Sequence, residues 1–313
     1  MPIMTFQQLK YEASWAGPRR VAVVAAANQE ALEAAHEAQQ AHIAECVLID
    51  DRERLSRAAE AAGLSLDDFG VVTVPGAEEA ARRAMQMARS GEVQVVMKGA
   101  LETATFMRVA LDRELGVRQG KLFTHVAVFE IPGFSRLLFI SDAGVVVAPD
   151  IYQKVEIVQN AIDVAVRLGI AEPKVAILAA AELVNPKIPT TMDAANLSKM
   201  AERGQIRGGI VDGPLALDNA ISEDSGRIKG IRSAVLGKAD ILIVPDIEAG
   251  NLLAKAITYF GRGEMAAVVV GGSVPLVVTS RSDPCSTKLV SLALGVLLAS
   301  NGYQPARTGE HPA

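Results

Sequence analysis

The sequence predicts an α/β protein made of two doubly wound lobes. Three observations carry that reading. Strand-like and helix-like segments alternate along the whole chain, the pattern of β-α units that builds a mostly parallel sheet. Half of the residues are hydrophobic yet only 4% are aromatic, so the core is aliphatic and alanine-rich, which suits Val/Ile strands covered on both faces by helices. The 313 residues supply about ten strands, more than one twisted sheet usually holds, which divides the chain in two.

Taken in order, "RVAVVAAA" (20–27) is a strand followed by a helix from Asn28 to His42, and "ECVLID" (45–50) a strand followed by a helix from Asp51 to Ala62. "VVTV" (71–74) leads into the helical "GAEEAARRAMQMARSG", and "VQVVMKG" (93–99) into "LETATFMRVALDREL". The apolar runs "VAVFEI" (126–131) and "RLLFIS" (136–141) flank Pro132-Gly133, a hairpin signal. That hairpin and the loop from Asp142 to Pro149 form a candidate hinge, followed by a helix over 151–168. Later strands are expected at 174–180, 208–213, 239–246 and 266–272. "VPLVVT" (274–279) is a strand and "PCSTKLVSLALGVLLAS" a helix opened by proline, with Asp283 as its N-cap. The polar tail after about Tyr303 is expected to be disordered.

Composition excludes several functions. A net charge of −5 provides no basic footprint for nucleic acid. No apolar run reaches the roughly 18–20 residues of a membrane span, and the start lacks a basic flank leading into an apolar block. Cys46 and Cys285 give neither a disulfide framework nor metal-ligand spacing. Of the four histidines, His36 and His42 fall on an exposed polar helix, and none forms a metal-binding pair. A cytoplasmic protein without a metal is expected.

Some motifs dissolve in context. "GRGEMA" (261–266) matches G-x-G-x-x-A, but it follows a helix and enters a strand, whereas a dinucleotide fingerprint does the opposite; Gly261 and Gly263 read as a helix stop and turn. Asp212 and Asp218 around a Gly-Pro turn, and Asp246 and Glu248 after a strand, read as turn and cap residues. Two strand–loop–helix junctions remain. In "VVTSRSDP" a strand ends on Thr279 and Ser280, with Arg281 offering a fork of donors suited to phosphate beside a helix N-terminus. In "VVMKGALETATFMRVALD", Lys98 ends a strand where an anion would approach the following helix, on which Thr105 and Arg108 share a face.

At these stretches the chain resembles the phosphate acetyl/butyryl transferase family, over about residues 18–302. The resemblance rests on "KGALETATFMRVAL", "THVAVFEIP", "ISDAGVVVAPD", "VDGPLALDNAIS", "ADILIVPDIEAGN" and "VPLVVTSRSDP" taken together, and "LFISDAGVVVAPD" and "TSRSD" are more similar to the butyryl branch. It implies two lobes with the active site in a cleft between them, in the manner of isocitrate/isopropylmalate dehydrogenases, and a homodimer. The lobes would be 1–142 plus 275–313, and 143–274. It implies acyl-CoA plus phosphate as substrates, coenzyme A being a substrate rather than a cofactor, and an acyl phosphate plus CoA as products. The family's Ser-Arg pair matches Ser280 and Arg281, and its helix arginine matches Arg108. An arginine that acetyl-branch members carry before the third strand has no match here, and their aspartate seven residues after the serine is Thr287.

The reading that follows is direct acyl transfer without metal or covalent enzyme intermediate. Ser280, Arg281 and Asp283 are the candidate catalytic residues, with Asp283 the candidate base for a thiol whose ordinary pKa is about 8.5. Arg108, Lys98, Thr105 and Thr279 are candidate substrate ligands. The alternatives are a non-catalytic CoA- or acyl-phosphate-binding subunit, and a decarboxylating dehydrogenase of the same fold.

Overall fold

A computed structural model describes residues 1–300. The expected polar tail lies outside the described residues. The described residues divide into two compact units: residues 6–121 with 265–300, and residues 1–5 with 122–264. The hairpin expected in the first lobe therefore packs with the second unit.

In the first unit α1 (Phe6–Trp15) precedes β1 (Arg19–Val24), α2 (Gln29–Gln40), β2 (Ala44–Asp50), α3 (Arg52–Ala62), β3 (Gly70–Thr73), α4 (Ala77–Arg89), β4 (Val95–Lys98) and α5 (Thr103–Ala110). Local chemistry sets the boundaries. Asn28 caps α2 by accepting from the Ala31 N–H, and Asp51 caps α3 by accepting from Glu53 and Arg54. Gly63, in the left-handed region at φ 68°, stops α3. α5 is shorter than its apolar pattern suggests, because the Asp112 carboxylate accepts from the Glu114 and Leu115 N–H groups and starts a separate turn. His36 on α2 is half-buried and meets Phe69 edge-on, so that helix is less exposed than its polarity suggests.

The second unit contains β5 (Thr124–Glu130), β6 (Leu138–Ser141), α6 (Ile151–Arg167), β7 (Lys174–Leu178), α7 (Pro189–Glu202), β8 (Ile210–Leu215), α8 (Leu217–Ile221), α9 (Glu223–Ile228), β9 (Ile241–Ile243) and α10 (Ile247–Tyr259). Its strands run β5-β6-β9-β7-β8, with β5 and β6 the antiparallel hairpin and the others parallel. Asp142 is buried at the end of β6, where its carboxylate accepts from the His125, Gly144 and Val145 N–H groups at 2.8 Å each. Three donors satisfy that charge and fix the loop. The "ISDAG" segment is thus an architectural knot.

The chain returns to the first unit through β10 (Glu264–Val270), β11 (Leu276–Val277) and α11 (Cys285–Ser300). Arg262 and Gly261 form the turn before β10, in the place expected for it. The first unit's strand order is β3-β2-β1-β4-β11-β10, parallel except for β10 against β11. α11 is buried from Lys288 to Leu298, which explains why it is apolar on every face. Its Gly295 permits that approach: a Cβ there would lie 2.8 Å from Val277 Cγ2.

The strand order reverses between β1 and β4, since β2 and β3 extend to one side of β1 and β4 starts the other. In open parallel sheets ligands bind beyond the carboxyl ends of strands at such a switch point. Lys98 is the last residue of β4, and β11 continues beside it into Thr279 and Ser280.

Candidate active site

The junction after β4 is tightly built. Gly99 and Ala100 donate to the carbonyls of Val24 and Ala25, each at 2.8 Å, which binds the loop after β4 to the end of β1. A Cβ on Gly99 would lie 2.5 Å from Ala25 O and 2.6 Å from Val24 O, so glycine is required by close backbone approach. Lys98 is 2% exposed, and its Nζ donates to the carbonyls of Gly99 at 3.3 Å and Leu101 at 3.2 Å. Glu102, at the cap position of α5, makes no side-chain cap bond, so no capping side chain takes up the first-turn N–H groups of α5.

The second junction, after β11, is a folded turn. Asp283 accepts the Ser280 N–H on Oδ2 at 2.7 Å, and the Asp283 N–H donates to Ser280 O at 3.2 Å. Ser280 Oγ and Ser282 Oγ are 3.0 Å apart. Asp283 is therefore not the cap of α11: its carboxylate turns back to the loop, the helix begins at Cys285, and proline precedes its first residue. A local competitor, the Ser280 amide three residues earlier, takes the oxygen that the cap rule assigns to the helix.

Lys288, which the sequence reading passed over, completes the turn. It lies on the first turn of α11, is 2% exposed, and donates from Nζ to Ser280 O at 3.4 Å and to Asp283 O. A lysine inside an otherwise apolar buried helix was the signal available for it. Thr279 is 3% exposed and its Oγ1 has no hydrogen-bond partner, an orphan of the kind that ordinarily finds a partner in a bound molecule or water. Arg281 is exposed and makes no hydrogen bond or ion pair with any described residue.

Lys98, Arg281 and Lys288 thus gather with one carboxylate, Asp283, among them. Burial, then the charges of Arg281 and Lys288, pull the Lys98 pKa down to about 8, with Asp283 opposing. Burial also lowers Lys288, against Asp283 and Glu30. Cys285 stands close by: burial and then Glu37 push its pKa up to about 12, which favours the thiol.

The remaining sequence candidates lie elsewhere in their contacts. Arg108 is exposed and forked onto Glu78 of α4, with nitrogen–oxygen distances of 3.2 and 2.9 Å. Thr105 is half-buried one turn earlier on α5. In the second unit Asp212 accepts from the Gly213 N–H, Asp218 pairs with Ser225 and Lys229, and Asp246 caps α10. Each carboxylate has turn, pair or cap work, and no group of three His, Cys, Asp or Glu able to hold a metal occurs among the described residues.

Chemically, the junctions offer cationic and neutral donors at strand ends, beside helix amides, with little opposing negative charge. Such an arrangement is chemically suited to an anion, whether phosphate or a developing oxyanion. A family model described as phosphate acetyl/butaryl transferase matches residues 76–296, a span that covers both junctions. The phosphate butyryltransferase of Clostridium acetobutylicum is 42% identical over 299 residues, covering 96% of this chain and 99% of that one. The phosphate acetyltransferase of Thermotoga maritima is 44% identical over 281 residues, 90% of this chain and 95% of that protein. A crystal structure of a branched-chain phosphotransacylase from Enterococcus faecalis V583 superposes with a TM-score of 0.81 at 30% identity, covering 90% of this chain and 99% of that chain.

Proposed function

The chain belongs to the phosphate acetyl/butyryl transferase family, and from that premise we propose that it is a phosphate acyltransferase. It converts a short-chain acyl-CoA, acetyl or butyryl, and inorganic phosphate into an acyl phosphate and coenzyme A. The observation that carries this reading is the gathering of Lys98, Arg281, Lys288 and the orphaned Thr279 hydroxyl at the ends of β4 and β11.

Arg281 grips a phosphate oxygen with its unengaged fork, and Thr279 donates its buried hydroxyl. Ser280 bonds the oxyanion that forms as the phosphate oxygen attacks the thioester carbonyl. Asp283 and Lys288 hold the turn that presents both residues, a role supported by their bonds to the Ser280 amide and carbonyl. Arg108 and Thr105 join the substrate from α5; Arg108 does so by leaving Glu78, which keeps Arg82 as a partner at 2.8 Å. Transfer is direct. The two compact units are taken as the two lobes of an isocitrate/isopropylmalate dehydrogenase-like architecture, and the protein as cytoplasmic; no helix among the described residues is long and apolar enough to cross a membrane.

A homodimer belongs to the same reading. α10 supports it, because Gly250 is its one buried residue while Leu252 is 70% and Tyr259 74% exposed, an apolar face that a second copy would cover. Light scattering should give about twice the 33.0 kDa chain mass, and a monomer at micromolar concentration contradicts it.

Thiol release at saturating phosphate, compared for acetyl-, propionyl-, butyryl- and succinyl-CoA, tests the function. Fast release with one chain length is the expected outcome. Binding of CoA without release from any of them would favour a non-catalytic binding subunit.

A further inference from the structure

We propose that Lys98, in its neutral form, carries the proton between the phosphate oxygen and the CoA sulfur. The inference rests on the acyl-transfer reading and assigns the acid–base group within it. The geometry at Nζ is specific. A neutral amine has two N–H donors and one lone pair, and here two carbonyls, Gly99 O and Leu101 O, take both donors. In the neutral form those two bonds use both N–H donors and leave the lone pair free, near the switch point of the sheet.

The surroundings make the neutral form easier to reach. Lys98 is buried and bonds no carboxylate, and an unpaired buried ammonium is costly. The charged groups acting on it are Arg281 and Lys288, which disfavour its protonation, and Asp283, which favours it. Asp283 has one oxygen committed to the Ser280 amide, and Glu30 acts on Lys288. Burial and the two cations place Lys98 at about 8, close to the roughly 8.5 of a free thiol, where proton exchange between them is nearly balanced.

The step balances without an outside reagent. A phosphate oxygen attacks the thioester carbon; the C–O bond forms, the C–S bond breaks, and the electron pair leaves on sulfur. The amine takes the proton of the attacking hydrogen phosphate and delivers it to that sulfur, ending neutral. In reverse it takes the thiol proton, and the departing phosphate receives it.

The test is Lys98→Arg, which keeps a positive charge but cannot shuttle a proton near neutrality. We expect kcat to fall about a hundredfold or more, with KM for phosphate changed only a few-fold. Near-normal kcat in Lys98→Arg overturns the assignment. The wild-type protein provides a second measurement independent of whether Lys98→Arg folds. At saturating phosphate, kcat for acyl phosphate formation should rise with pH through about 8 to a plateau above it, and a flat profile over pH 6.5–9.5 also overturns it. If the wild-type protein releases no thiol with phosphate, the acyl-transfer reading has failed; if it does and Lys98→Arg is fully active, only the Lys98 assignment has.

Discussion

Arg281→Ala should lower kcat/KM for phosphate by a hundredfold or more while leaving stability within about 0.5 kcal/mol. The side chain is exposed and bonds no described residue, so its removal opens no cavity and strands no partner. Its loss does relieve Lys98 of a neighbouring cation, so the pH-rate profile should move upward as the amine becomes easier to protonate. Steady-state kinetics with phosphate varied, together with thermal denaturation, checks both halves. A wild-type rate would remove the turn after β11 from the active site, and a collapsed Tm would assign Arg281 to the fold.

Gly99→Ala should act on stability and rate together. The added Cβ meets two main-chain oxygens, Ala25 O and Val24 O, at 2.5 and 2.6 Å, and neither can rotate away as a side chain would. The loop after β4 has to move off β1, stretching the bonds from Gly99 and Ala100 to those carbonyls. A cost of about 3 kcal/mol is expected, the upper part of the usual range for overpacking. Gly99 O also accepts from Lys98 Nζ, so even the folded fraction should be slow. Denaturant unfolding with a midpoint unchanged from wild type would show that the loop is far more yielding than its packing implies.

Much of this was legible in the sequence because it depends on local rules. β1 to β4 with their helices, the β5–β6 hairpin and the turn before β10 follow from period, caps and turn residues, although the left-handed residue of that turn is Arg262 and not a glycine. Both strand–helix junctions of the site were legible for the same reason. What escaped depends on which donors and acceptors the folded loops and helices bring together. α7 announces itself poorly: two prolines precede or open it, and it buries only Thr191, Ala194 and Leu197. Asp283 obeys the cap rule in sequence yet bonds the Ser280 amide, because the turn offers it a nearer donor. Lys288 reads as an oddity in an apolar helix until the carbonyls of Ser280 and Asp283 are found above it. Arg108 reads as an anion ligand, and only the fold brings Glu78 of α4 to it.

The most direct test of acyl transfer to phosphate is the stoichiometry of its products. With butyryl-CoA and phosphate, free thiol and acyl phosphate should appear together in a one-to-one ratio, and thiol release should stop when phosphate is omitted. Thiol release that continues at the same rate without phosphate, or without any acyl phosphate formed, would contradict the account.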